Sequence, residues 1–284
     1  MGVNPTPSRA LVVTAWASLV ANIVIVVTGG AVRLTASGLG CPTWPRCTEE
    51  SFTPHNALTL HSAIEFGNRT LTFVLTAVAI ATVVVAWRTG RRDLRGLAIV
   101  LALGIPAQAV IGGITVLTDL NPWIVSFHLL CSMAIIAGSV LYLHRIRVDP
   151  GAAWPRPRLL GWTMYAVTWA VLYLGTIVTG SGPHAGDEDA PRNGLDPETW
   201  SHLHAWMVYV LIALTLLLVV VTRARAVWWL VAAILVQGLI GFVQYYNDLP
   251  VVLVALHMLG AAVIAAASTH VLIATQPPRV IHPA

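Results

Sequence analysis

The chain has 284 residues, 57% of them hydrophobic and only 10% charged, a balance that excludes a soluble domain of this size and fits a multi-pass membrane protein. Its net charge of +4 rests on 16 basic residues, all of them arginine. These arginines gather in short loops, so the basic balance reports membrane topology and implies no nucleic-acid partner.

Eight apolar segments predict eight transmembrane helices, at about 10–32, 58–87, 96–117, 122–144, 159–180, 199–221, 227–246 and 250–274. Each is near or above the ~20 residues that span a bilayer. The first ten residues hold one arginine and run straight into a full-length apolar segment, which reads as a membrane helix rather than a cleaved signal peptide. The loops 88–95, 145–158 and 222–226 carry Arg88, Arg91, Arg92, Arg95, Arg145, Arg147, Arg156, Arg158, Arg223 and Arg225. Such loops are retained in the cytoplasm, so both termini are expected there. The alternate loops hold most of the acids and face outward, the Cys41–Cys47 loop among them.

That first outer loop reads Cys41-Pro-Thr-Trp-Pro-Arg-Cys47. An oxidising compartment permits a disulfide there, and two prolines favour the tight turn it needs. A plain loop staple and a redox-active pair near a substrate are both open. The second segment brings His61-Ser-Ala-Ile-Glu-Phe-Gly-Asn-Arg69 into an apolar run. As a helix it sets His61, Glu65 and Asn68 on one face, at i, i+4 and i+7. Ionisable groups within a membrane are costly and usually face a site; the competing reading of Glu65 is an ion pair with Arg69 at i+4.

Segments three and four repeat in seven and eight without a gap. Gln108-Ala-Val-Ile-Gly-Gly and Asp119-Leu120 match Gln237-Gly-Leu-Ile-Gly-Phe and Asp248-Leu249, and His128 matches His257 in the same register. Segment one echoes five through Val27-Thr-Gly29 and Val178-Thr-Gly180. Four helices per repeat give the halves parallel topology. The expected fold is an all-α integral membrane protein of two four-helix bundles: 1–146, a cytoplasmic linker 147–158, and 159–284. Counting 1.5 Å per residue, His128, His204 and His257 lie roughly 9 Å below the outer edge and His61 roughly 5 Å. Paired imidazoles from facing helices of a bundle are a recurrent way to hold haem iron. For one such histidine alone, a hydrogen-bonded packing role is the simpler reading. Cysteines and carboxylates do not gather around them at ligand spacing, which argues against zinc, and without Cys-x-x-Cys-His covalent haem attachment is excluded. Cys131 reads as a small buried apolar residue, and Trp44, Trp123 and Trp200 as interfacial belt residues rather than haem stackers.

The run Thr28-Gly-Gly-Ala-Val-Arg-Leu-Thr-Ala-Ser-Gly-Leu-Gly-Cys41, with Trp44-Pro-x-Cys47 and Glu65-x-x-Asn-Arg69 after it, resembles the haem A synthase family, as does the two-repeat plan. The resemblance implies oxidation of the C8 methyl of haem O to a formyl group by successive hydroxylations, giving haem A. The amino-terminal half resembles the substrate side and the carboxy-terminal half a bis-histidine haem b site. His128 matches the family's fourth-helix histidine, His257 the eighth-helix one and Glu65 the second-helix glutamate; His204 is the best match on the sixth helix, with His202 its competitor. Where the family pattern reads Glu-x-x-His-Arg, this chain has Asn68, a poor iron ligand. Either His61 takes its place, or His128 binds the substrate iron alone. An apolar setting suits Glu65 to proton exchange near neutral pH. Arg33 and Arg69 are placed to pair with haem propionates, or to act as interfacial anchors. The candidate partners are a haem O-producing farnesyltransferase, a quinol donor and a second copy of the chain. A non-catalytic b-type cytochrome fed by quinol would explain the histidines but not Glu65 or the Cys loop. A transporter suits parallel repeats, but the polar positions lie away from the midplane.

Overall fold

The computed structural model describes residues 7–54, 59–149 and 158–275. His55, Arg156, His282 and most of the expected linker lie outside them. The described residues form eight helices and no strand: α1 (Arg9–Leu34), α2 (Leu60–Arg88), α3 (Arg92–Leu117), α4 (Pro122–Arg145), α5 (Leu159–Ser181), α6 (Pro197–Thr222), α7 (Arg225–Tyr245) and α8 (Val251–Ala274). All eight are long and apolar enough to cross a membrane. Their outward faces are apolar too: Phe73, Val100, Leu103, Val220 and Trp229 are all more than 60% exposed, which only a lipid surround makes favourable.

Local chemistry sets the helix ends. Ser8, Thr59, Asn121 and Asp196 cap α1, α2, α4 and α6 by accepting a first-turn N–H, and proline opens α4 and α6, where its missing donor costs nothing. Helix α3 starts four residues before the apolar run. Arg91 donates to Asp93 Oδ2 at 2.8 Å and to the carbonyl of Arg145 at 2.9 Å, so the charged start of α3 is neutralised against the end of α4.

The repeat is visible in backbone detail. Asp119 and Leu120 between α3 and α4, and Asp248 and Leu249 between α7 and α8, all take left-handed backbone, with φ of 52°, 59°, 57° and 55°. In each turn the leucine N–H reaches back five residues, Leu120 to Thr115 O at 2.8 Å and Leu249 to Gln244 O at 2.9 Å. Such a bond closes a helix C-terminus and repays the strain of a non-glycine residue at positive φ.

Helix contacts follow the same pattern twice. Helix α1 packs on α2 and α4, α2 on α3, and α3 on α4; α5 packs on α6 and α8, α6 on α7, and α7 on α8. Between these two sets, α4 meets α8, α1 meets α8, and α4 meets α5. One apolar cluster runs through α1, α2, α3, α4 and α8, and another through α5, α6, α7 and α8. Ser126 of α4 donates to Thr176 of α5 across the junction.

Candidate functional site

A cavity of about 450 Å³ opens among α5, α6, α7 and α8, with α4 closing one side. Its deep end is apolar, lined by Met133, Leu211, Ile234 and Ile264, while Ser201, His202, Gln244 and Tyr245 gather at its mouth. His204 from α6 and His257 from α8 face each other across it, ring centres 6.5 Å apart and planes at 67°. Two metal–imidazole bonds of about 2 Å, plus about 1.1 Å from each nitrogen to its ring centre, would require ~6.2 Å. The separation of the ring centres is close to that span.

A backbone carbonyl holds the His204 ring, and glycines make room for both rings. His204 Nδ1 lies 3.1 Å from the carbonyl of Val171. A carbonyl only accepts, so Nδ1 carries the proton and Nε2 keeps its lone pair, the state a metal ligand needs. A Cβ on Gly175 would stand 3.2 Å from His204 Cε1, and one on Gly241 the same distance from His257 Cε1. Glycine at both positions leaves room for the Cε1 edge of each ring against the neighbouring helix. Gln237 Nε2 donates to the carbonyl of His257 at 2.7 Å and ties α7 to α8 at the level of the site. His202, the competitor of His204, is exposed at the mouth beside Tyr245, ring centres 6.3 Å apart.

The same geometry recurs among the first four helices. Gln108 Nε2 donates to the carbonyl of His128 at 3.1 Å, and a Cβ on Gly112 would lie 3.3 Å from His128 Cε1. Here the facing helix differs. Asn68 lies eight residues into α2, much as His204 lies seven into α6, and it accepts the Thr28 hydroxyl proton at 2.8 Å. His61 is the second residue of α2, two turns nearer the Cys-loop end, exposed and hydrogen-bonded to Ser37 at 3.1 Å. The structure therefore brings His204 and His257 together, and sets His61 away from the level of Asn68.

Glu65 is 4% exposed and sits in a clasp. Arg69 Nε donates to its Oε1 at 3.0 Å, and the Cys41 N–H to its Oε2 at 2.6 Å. Arg69 also donates to the carbonyls of Cys41 (2.7 Å), Thr43 (2.9 Å) and Arg46 (3.2 Å). Cys41 and Cys47 form a disulfide. The ion pair and the loop anchor are one device: helix α2 grips the Cys loop through a carboxylate and a guanidinium. Arg33, the other arginine expected near a propionate, donates to the carbonyls of His184 (2.6 Å) and Thr179 (2.8 Å), and so ties α1 to the end of α5.

Trp44 is half-buried and packs on the outer end of α3. Disulfide and clasp fold the loop inward, and the indole lies face-on against Gly113 of α3, next to the glycine that accommodates His128. Sequence reasoning passed over Gly112, Gly175 and Gly241 as sites. A glycine four residues after each repeated glutamine was the available signal for two of them.

A family model described as cytochrome oxidase assembly protein, COX15-CtaA, matches residues 12–269. Heme A synthase of Bradyrhizobium sp. (strain ORS 278) is 27% identical over 328 aligned positions, covering 92% of this chain and 90% of that protein. Heme A synthase of Bacillus cereus (strain 03BB102) is 24% identical over 273 positions, covering 86% and 87%. Protoheme IX farnesyltransferase of Halobacterium salinarum (strain ATCC 700922 / JCM 11081 / NRC-1) is 30% identical over 120 positions, 42% of this chain and 26% of that protein. With the model spanning nearly all of the eight helices, the chain belongs to the COX15-CtaA family of cytochrome oxidase assembly proteins, the family to which its resemblance to haem A synthases pointed.

Proposed function

We propose that this chain is a haem A synthase, an oxidoreductase that converts the C8 methyl of haem O to a formyl group by successive hydroxylations. The observation that carries the reading is the facing pair His204 and His257, spaced for one iron, in a chain whose relatives bear that name. Residues 159–284 then form the cofactor half, in which His204 and His257 would hold the iron of a resident haem b. Its apolar deep end suits the ring and its polar mouth the carboxylates. When bound, haem b supplies electron transfer. Residues 1–146 form the substrate half, with His128 facing the iron of haem O and Asn68 opposite. Glu65 is the proton acceptor at the reacting methyl, and its clasp with Arg69 keeps the carboxylate desolvated and aimed. The halves lie side by side in a cell membrane, with both termini cytoplasmic and the Cys loop outside. Haem O comes from a farnesyltransferase, and a quinol is the electron donor.

The test is expression of the chain with a haem O supply, followed by haem extraction and chromatography. Haem A together with haem B is expected. Haem B alone would overturn the synthase reading and leave an electron-transfer cytochrome.

A further inference from the structure

The two histidine sites differ in one wall. The register that pairs Gln108 with Gln237, Gly112 with Gly241 and His128 with His257 also pairs Gly113 with Phe242. In the second half the Phe242 ring lines the cavity and is part of α7 itself. In the first half α3 offers no side chain at this position. The space is filled from outside the helices, by Trp44 of the Cys loop. A Cβ on Gly113 would lie 2.4–2.6 Å from the indole Cδ2, Cγ and Cε2, so the ring occupies the volume a helix-borne side chain would take. Both halves thus have an aromatic ring at the position after the glycine that accommodates the histidine, the half-exposed Phe242 built into a helix and Trp44 delivered by a loop.

The loop's attachment is polar. Arg69 holds the carbonyl of Thr43, the residue before Trp44, and the Cys41–Cys47 disulfide keeps the turn closed beneath the indole. Hydrogen bonds between a side chain and loop carbonyls exchange with water more readily than a helix exchanges its register. A resident cofactor has no need of a removable wall. A substrate that enters and a product that leaves do need one.

We propose that Trp44 is the removable wall of the substrate site: its indole packs on the haem O macrocycle and withdraws with the loop for exchange, while Phe242 makes the matching wall of the cofactor site permanent. This rests on the substrate-half reading above. An indole against a porphyrin face buries a large apolar area with stacking geometry.

The test uses the full-length protein, loaded with haem O and mixed with excess apomyoglobin. Haem O loss is followed by absorption, and the low-spin signal of the second half reports intact folding. Trp44→Ala is expected to lose haem O about tenfold faster than the parent, and Trp44→Phe at close to the parental rate. Trp44→Ala combined with Gly113→Phe, which copies the second half, is expected to hold haem O longer than the parent. Parental loss rates in Trp44→Ala, or no slowing in the double variant, would overturn the proposal. If the parent keeps its low-spin signal yet takes up no haem O, the substrate-half reading falls, and this inference with it. A second measurement needs no haem: Cys41 and Cys47 are 0% and 1% exposed. Gly113→Ala should lift the indole and speed reduction of their disulfide by a water-soluble phosphine. An unchanged rate would overturn the docking of Trp44 on α3.

Discussion

Helices α3 and α4 and helices α7 and α8 are one design used twice, and their differences fit the two tasks proposed for the halves. Both pairs place a glutamine amide on the carbonyl of a histidine twenty residues later, lay that histidine on a glycine, and close the turn with an aspartate and a leucine in left-handed backbone. Opposite His257 stands a second imidazole, His204; the residue of α2 at the depth of His204 on α6 is Asn68, which accepts from Thr28. The second half has no carboxylate in its cavity lining, while the first holds Glu65 in a buried ion pair. Two strong axial ligands saturate an iron and favour electron transfer. One ligand, a buried carboxylate and a loop-borne wall suit a bound molecule that must react and leave.

The largest expected effect breaks the second half alone. His257→Ala removes one of two facing rings, and the low-spin b-type absorption should vanish from the purified protein. A parental spectrum in this variant would remove His257 as a ligand. Size is not the issue at this site, since α8 is packed mainly by other residues, Ala262, Ile264 and Ala265 among them. The variant should still insert and purify.

Next comes the first half's distinguishing group. Glu65→Gln keeps the shape and removes the charge. Loss of a positioned acid–base group costs about 10²–10⁴-fold, so haem A formation should fall by at least about a hundredfold. The low-spin signal of the second half should stay. The loop should stay as well, because Arg69 still holds the carbonyls of Cys41, Thr43 and Arg46. Full activity in Glu65→Gln would reduce the residue to an anchor for Arg69, the reading its i+4 spacing also permits.

Much of this contrast was legible in the residues. Apolar runs of bilayer length announced the eight helices, because a membrane helix must satisfy its backbone internally and so leaves a continuous signal. Gln, Gly, Asp and His at one offset announced the repeat. Arg69 beside Glu65 followed from helical spacing. Three features were not legible. The inward fold of Trp44 depends on a loop gripped by hydrogen bonds to carbonyls, which every residue has and no pattern marks. The reach of Arg33 to Thr179 and His184 joins residues about 150 positions apart through backbone atoms alone. The choice of His204 over His202 came from which side of α6 faces α8, a matter of helix rotation that two residues' spacing leaves unresolved.

The smallest expected effect compares the two glutamines. Each spans a helix pair with one amide, but Gln108 Nε2 reaches both the His128 carbonyl and the Ser132 hydroxyl, whereas Gln237 Nε2 has the His257 carbonyl. At Ser132's matching position the second half has Ala261. A net hydrogen bond contributes about 1 kcal/mol, and more when a buried partner is left unmet. Gln108→Leu should therefore lower thermal stability more than Gln237→Leu, by about 1 kcal/mol in a side-by-side melt. The spectra should rank the other way. Gln237→Leu frees the carbonyl of His257, the proposed iron ligand, and should shift the low-spin band, while Gln108→Leu should leave that band alone. If both variants shifted it equally, the halves would be coupled through α4 and α8, and the division into a cofactor half and a substrate half would be too sharp.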